Sequence, residues 1–216
     1  MPRLNHRQRI YDSIRSRILL GEIGPDDKLI DTVIAAELGV SRMPVREALM
    51  QLVSAGYLEG TTRGFALPHL GHERVLEIFL LRRLLEPRAA ASAAQALTDE
   101  GIAGMSAAVE ASAATLKSSN FEAFYRASEQ FRDIWLSAVP NSELRSAIQR
   151  YSGQVQSVRL ATMRDPEAHL TIVAGQRDLL AAFASRDALA AADRILGFVV
   201  DAENSYLRLH AAPGKG

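Results

Sequence analysis

The chain has 216 residues, 25 Lys and Arg against 25 Asp and Glu, no Cys, 48% hydrophobic and 6% aromatic residues. That length fits one large domain or two small ones, and the lack of cysteine excludes a disulfide scaffold, a thiolate metal site and a cysteine nucleophile. No run approaches the roughly 18 apolar residues of a membrane span, and the opening Met-Pro-Arg-Leu-Asn-His-Arg lacks the apolar core of a signal peptide, so a cytoplasmic protein is expected.

The neutral total hides a gradient. Residues 1–70 carry 9 basic and 8 acidic side chains, residues 71–216 carry 16 and 17, and the first twenty residues are 5 to 1 basic. Arg3, Arg7, Arg9, Arg15 and Arg17 place that charge along one opening helix, which suits phosphate and equally an ordinary solvated face. Ile10, Ile14 and Ile18, with Tyr11, recur at helical spacing until Gly21 and Gly24-Pro25 stop the helix. Asp31 is expected to cap a short second helix through Leu38, and Gly39 to supply a left-handed turn. Ser41 is expected to cap a third helix that accepts Pro44 in its first turn and buries Val45, Ala48, Leu49 and Leu52. Gly56 ends it, and Tyr57-Leu58-Glu59 with Gly64-Phe65-Ala66-Leu67 reads as a small hairpin.

Beyond Leu70, Gly and Pro become scarcer, Ala dominates, and the 3.6-residue period replaces alternation. The spacing predicts helices over 73–97, 99–117, 121–138, 142–163, 167–184 and 187–209, broken at Thr98, Asn120, Pro140-Asn141, Asp165-Pro166 and Ser185. The expected fold is mainly α: a winged helix-turn-helix domain over 1–70, then an antiparallel all-helical bundle over 71–216, whose interior is the natural place for a ligand.

Chemistry concentrates in Leu38-Gly39-Val40-Ser41-Arg42-Met43-Pro44-Val45-Arg46-Glu47-Ala48-Leu49. Arg42 and Arg46 lie four residues apart, about 40° on the helical wheel, so both can enter one major groove. Their planar forks suit guanine O6 and N7, while Ser41 and the helix N-terminus suit a phosphate. The hairpin tip, Thr61-Thr62-Arg63-Gly64, lies where a wing would, with Gly64 permitting close backbone approach and Arg63 reaching phosphate or the minor groove.

Residues 7–68 thus resemble the winged helix-turn-helix of the GntR family of bacterial transcription regulators. Ser41-Arg42-Met43-Pro44-Val45-Arg46-Glu47-Ala48-Leu49 nearly repeats that family's hallmark, with Met43 where Thr is usual, and Leu52 to Leu58, Glu59 and Arg63-Gly64 also match. The resemblance implies that Arg42 and Arg46 contact base edges, with Ser41, Arg63 and Gly64 supporting at the backbone and wing. Thr32 stands where some relatives place another DNA-contacting Arg.

The second half resembles the FCD ligand-binding domain of the FadR subgroup, in its shorter VanR-like version. The matching segments are Leu81-Arg82-Arg83-Leu84-Leu85-Glu86-Pro87, Pro140-Asn141-Ser142-Glu143-Leu144 and Gln176-Arg177-Asp178-Leu179-Leu180. This likeness implies a homodimer, a palindromic double-stranded DNA operator and a small-molecule effector. Many such domains hold a divalent metal through one Asp and three His. Here those positions are Ser128, Arg132, Gln176 and Phe198, a set unsuited to a cation, so no metal cofactor is expected. The five histidines, His6, His69, His72, His169 and His210, are scattered and do not replace it.

Arg132 stands at a ligand position of that cation, and the resemblance makes Arg82 a pocket-facing residue, so the two guanidinium groups are expected to clamp a carboxylic acid effector. Tyr125, Ser128, Arg132 and Trp135 follow at spacings of three and four and offer phenol, hydroxyl, cation and indole on one helix face; Gln176 adds an amide. The alternative for the same residues is structural: Arg132 paired with Glu129 or another carboxylate, Arg82 tied to Glu86 one turn along, Tyr125 and Trp135 in the core, and Gln176 at a dimer face.

Catalysis is not expected, because no Gly-x-Ser-x-Gly, His-Glu-x-x-His, Walker or Gly-x-Gly-x-x-Gly motif occurs. Two functions remain: a repressor released by a small organic acid, or a DNA-binding or interaction module whose helical domain only dimerises and has lost its effector.

Overall fold

The computed structural model describes residues 6–118, 120–164 and 166–210. Arg3 and Asp165 lie outside them. The described chain forms ten helices and one two-stranded sheet, and it divides into two compact units. The first runs to His72 and includes Gln149–Leu160; the second comprises Glu73–Ile148 and the chain from Ala161. No described helix is long and apolar enough to cross a membrane.

In the first unit, α1 (His6–Leu20), α2 (Asp31–Leu38) and α3 (Arg42–Ser54) precede strands β1 (Glu59–Thr61) and β2 (Gly64–Ala66). Ile10, Ile14 and Ile18 of α1 pack with Val45, Ala48, Leu49 and Leu52 of α3, so the two stripes read from periodicity make one core. Gly39 ends α2 in the left-handed conformation, with φ of 62°, which lets α3 leave at once and makes the helix-turn-helix. The strands are antiparallel, pairing Glu59 with Ala66 and Thr61 with Gly64. Tyr57 and Leu58, expected in the hairpin, precede the first strand, and Leu58 is buried in the core instead. Leu29 adds a bridge to Phe65, with N–H to O distances of 2.8 and 2.9 Å. A side chain on Gly64 would place its Cβ 2.5 Å from the Leu29 carbonyl oxygen, so it is this protein's own backbone that requires the glycine.

Two caps differ from expectation. Asp31 is the first residue of α2, not its cap: Ile30 holds the cap position and no side chain caps the helix. Ser41 does occupy the cap position of α3, but its hydroxyl makes no capping bond.

In the second unit, α4 (His72–Ala96), α5 (Asp99–Thr115), α6 (Phe121–Ser137), α9 (Pro166–Ala184) and α10 (Ala188–His210) follow the predicted segments closely. Thr98 and Asn120 cap α5 and α6 by accepting from Gly101 and Ala123 backbone N–H groups. The predicted helix over 142–163 is divided at Val155 into α7 (Ser142–Gln154) and α8 (Gln156–Met163), two residues after Gly153, which weakens helix continuity; its stretch Gln149–Leu160 belongs to the first unit. The core joins Ala89, Ala90, Ala93 and Ala94 of α4 to Phe131 and Trp135 of α6, Leu179 and Phe183 of α9, and Ile195 of α10. The alanines keep no bulk between backbones, which leaves room for the large aromatics opposite.

Gly153 lies against the end of α3, where a Cβ would stand 2.4 Å from the Ala55 carbonyl oxygen. In an isolated helix, Gly153→Ala would stabilise by about 1 kcal/mol. Here the clash with rigid backbone reverses the sign, and a loss of about 1–3 kcal/mol is expected. A denaturant midpoint unchanged or raised in the variant would show that the contact yields freely.

Candidate nucleic-acid interface and buried arginine cluster

The first turns of α3 carry Arg42 and Arg46 on its exposed side, 57% and 54% exposed. Both point to one carboxylate: Asp31 Oδ2 lies 3.0 Å from Arg42 Nε and 3.1 Å from Arg46 Nη1. Asp31 itself is 6% exposed. The Arg42 guanidinium paired at 3.0 Å, joined by the hydrogen bond from Arg46 Nη1, holds its carboxyl below the usual carboxylate range against a burial that would raise it. In the sequence Asp31 reads as a cap because capping residues and ion-pair acceptors are the same residue types. Only the folded turn brings it beside Arg42 and Arg46.

At the wing, the Thr61 hydroxyl donates to the Gly64 carbonyl at 3.2 Å and accepts from the Arg63 backbone N–H at 3.3 Å. This pins a tight turn and leaves the Arg63 side chain on the exposed tip. On the opening helix, the basic row is partly spoken for: Arg15 Nε donates to the Tyr57 hydroxyl at 3.2 Å and its guanidinium lies 5.5 Å from that ring's centre, while Arg17 stands 3.7 Å from Glu22.

Within the bundle, Arg82, Glu86 and Arg132 meet. Arg82 Nε donates to Glu86 Oε1 at 2.7 Å, and Arg132 Nη1 and Nη2 donate to Oε2 and Oε1 at 3.2 and 3.3 Å. Glu86 is 1% exposed. Burial alone would raise its pKa, but the charges of Arg132 and Arg82 and their hydrogen bonds outweigh that and bring the carboxyl to about 2. Arg132 also lies 5.6 Å over the Trp135 ring, so α6 supplies cation and aromatic face together.

The other expected pocket residues are partly or fully buried on α6, α9 and α10. Ser128 is buried one turn before Arg132, and Gln176 is buried on α9; Ser128 Oγ and Gln176 Oε1 have no hydrogen-bond partner among the described residues. Aromatic contacts from Phe124 to His169 and from Trp135 to Phe183 bracket α6 against α9, which puts Gln176 level with this stretch of α6. Tyr125 is buried two turns from Arg132, its ring 6.0 Å from that of Phe121. Phe198 lies across Gly175, where a Cβ would be 2.6 Å from a ring atom. The donors at the four family metal positions do not fit a divalent ion, since Arg132 is itself a cation engaged by Glu86 and Phe198 offers no lone pair. No group of three His, Asp or Glu that could hold a metal occurs among the described residues. His169 is stacked on Phe124, and His210 lies against Tyr206 at a tilt, ring centres 4.2 Å apart.

Residues 77–199 match the FCD domain, and residues 6–64 match the bacterial regulatory proteins of the gntR family. The chain belongs to the GntR family, in its FCD-bearing, FadR-like subgroup. Over 102 residues it is 32% identical to the HTH-type transcriptional regulator McbR of Escherichia coli, covering 47% of this chain and 46% of that protein. It is 38% identical over 78 residues to the gluconate operon transcriptional repressor of Bacillus subtilis, covering 36% and 32%. The matched stretches thus span less than half of these relatives, both of which are transcription regulators. The solved structure of E. coli McbR/YncC superposes with a TM-score of 0.81 at 21% identity, covering 96% of this GntR-family chain and 99% of the other, and shows the shared fold.

Proposed function

We propose that this GntR-family chain is a cytoplasmic, homodimeric transcription factor, a repressor that leaves its palindromic operator when a small organic acid binds its helical domain. The observation that carries the DNA reading is the pair of exposed guanidinium groups on the first turns of α3, beside a pinned wing. One relative, named a repressor of a gluconate operon, supports the sign of regulation. An effector acts only if it binds one arrangement of the two recognition helices better than the other, since equal affinity shifts nothing.

The effector reading rests on Arg82 and Arg132, with Ser128, Gln176, Tyr125 and Trp135 around them and no metal in the design. Two guanidinium groups held on one buried carboxylate make a site that can exchange an internal acid for an external one. Glu86 equally favours the second reading, a domain that only dimerises, because the protein supplies its own anion. Calorimetric titration with aromatic and aliphatic carboxylic acids separates them. Binding by the wild type and none by Arg132→Ala is expected; equal binding by both would sink the clamp.

The function as a whole is tested by a gel shift on DNA flanking the chain's own gene, with specific and random competitor, repeated with a panel of carboxylic acids. Specific retention released by one acid is expected. Specific retention indifferent to every acid supports the dimerising module, and failure of a genome-wide selection to yield any site overturns the DNA reading.

A further inference from the structure

We propose that Asp31 is a positioning residue for sequence reading: its single Oδ2 holds Arg42 and Arg46 so that each presents a two-donor edge to a base. The proposal rests on the reading of Arg42 and Arg46 as base-contacting residues. A guanidinium has two usable edges, Nε with Nη2 and Nη1 with Nη2, each able to meet guanine O6 and N7. Asp31 takes Nε of Arg42, which leaves that residue's Nη1 and Nη2 edge. It takes Nη1 of Arg46, which leaves the Nε and Nη2 edge. Among the described residues neither Arg makes any other hydrogen bond or ion pair. Asp31 therefore occupies a different edge of each partner and leaves one complete fork on both.

Three physical consequences follow. Two like charges one turn apart on α3 repel, and a shared carboxylate offsets that repulsion. Each Arg side chain gives up rotamer freedom before DNA arrives, so less is lost on binding. Because Asp31 is almost fully buried at the start of α2, it has little freedom to follow a moving partner, and the fork directions are set by the helix-turn-helix itself. The carboxylate also subtracts charge beside the backbone of bound DNA, which lowers affinity for every sequence alike while raising discrimination among them.

That opposition gives the test its signature. Duplexes are first selected from a randomised pool by the wild-type protein. Affinities for the selected duplex and for a random duplex are then compared in wild type, Asp31→Asn, Arg42→Ala and Arg46→Ala. Asp31→Asn is expected to lower the ratio of specific to random affinity by about tenfold or more, with affinity for random duplex unchanged or raised. A ratio unchanged in Asp31→Asn but reduced in both Arg variants overturns the positioning role alone. A ratio unchanged in the Arg variants, or a pool that yields no selected sequence, overturns the base-contact reading and this proposal with it. Equal loss for both duplexes together with lost helicity marks a folding role and also overturns it. A second measurement needs no variant to fold: in DNA-free wild type, the Arg42 Nε proton is expected to exchange more slowly than those of Arg9 and Arg63, and equal exchange rates would overturn the proposal.

Discussion

Arg42→Ala and Arg46→Ala are each expected to abolish selective retention of operator DNA while the protein keeps its fold. One bidentate contact to guanine is worth about 1–3 kcal/mol of discrimination, and a symmetric dimer makes each contact twice. The expected loss is therefore roughly 30-fold to 20,000-fold in affinity for the operator, and much smaller for random duplex. Neither Arg fills the core, and either one remaining on Asp31 keeps that buried carboxylate paired, so the melting temperature should move little. Specific binding by the wild type should weaken as salt rises, because phosphate contacts release counterions, and loss of one cationic contact should reduce that slope. A gel shift across salt concentrations measures both quantities, and full operator protection by either variant would show that its Arg does not read bases.

Glu86→Ala is expected to destabilise the bundle strongly. It leaves Arg82 and Arg132, whose side chains are 10% and 15% exposed, without their shared anion, and removing one partner of a buried ion pair costs about 3–5 kcal/mol. For a chain of this length that corresponds to roughly 6–20 °C in melting temperature. The vacated space is the size of a carboxylate side chain, so acetate or formate is expected to restore part of the loss, growing with concentration as binding to the folded state requires. No recovery with either anion would argue that this pair does not accept an external acid.

The same group predicts the acid limb of stability. The Glu86 carboxyl falls from an ordinary value of 4.5 to about 2 on folding. A depressed carboxyl contributes stability that is present in full above the unfolded value and is lost as pH falls towards the folded one. The wild type should therefore lose stability between about pH 4.5 and pH 2 more steeply than Glu86→Gln, which has no carboxyl to titrate there.

Much of this was legible in the chain. The isoleucines of α1 and the Val45, Ala48, Leu49, Leu52 stripe announce their helices because the hydrophobic period is a local property, and Thr98, Asn120 and Gly39 mark boundaries through bonds or dihedrals within a few residues. The break between α7 and α8 was not legible. Nor were the reasons for Gly64 and Gly153, since the backbone that crowds each lies far along the chain, at Leu29 and Ala55.

The residues in line thus carry the recognition helix with its two arginines, most of the helix order, and the family to which they point. Tertiary structure alone decided which acid answers which base. Only the Arg82–Glu86 pair, one helical turn apart, could be offered from spacing; the pairing of Asp31 with Arg42 and Arg46, and of Glu86 with Arg132, joins acids to bases that no local period connects. Burial makes an unpaired charge too costly to keep, so packing selects the pairs: Asp31 with Arg42 and Arg46, and Glu86 with Arg82 four residues away and Arg132 across 46 residues.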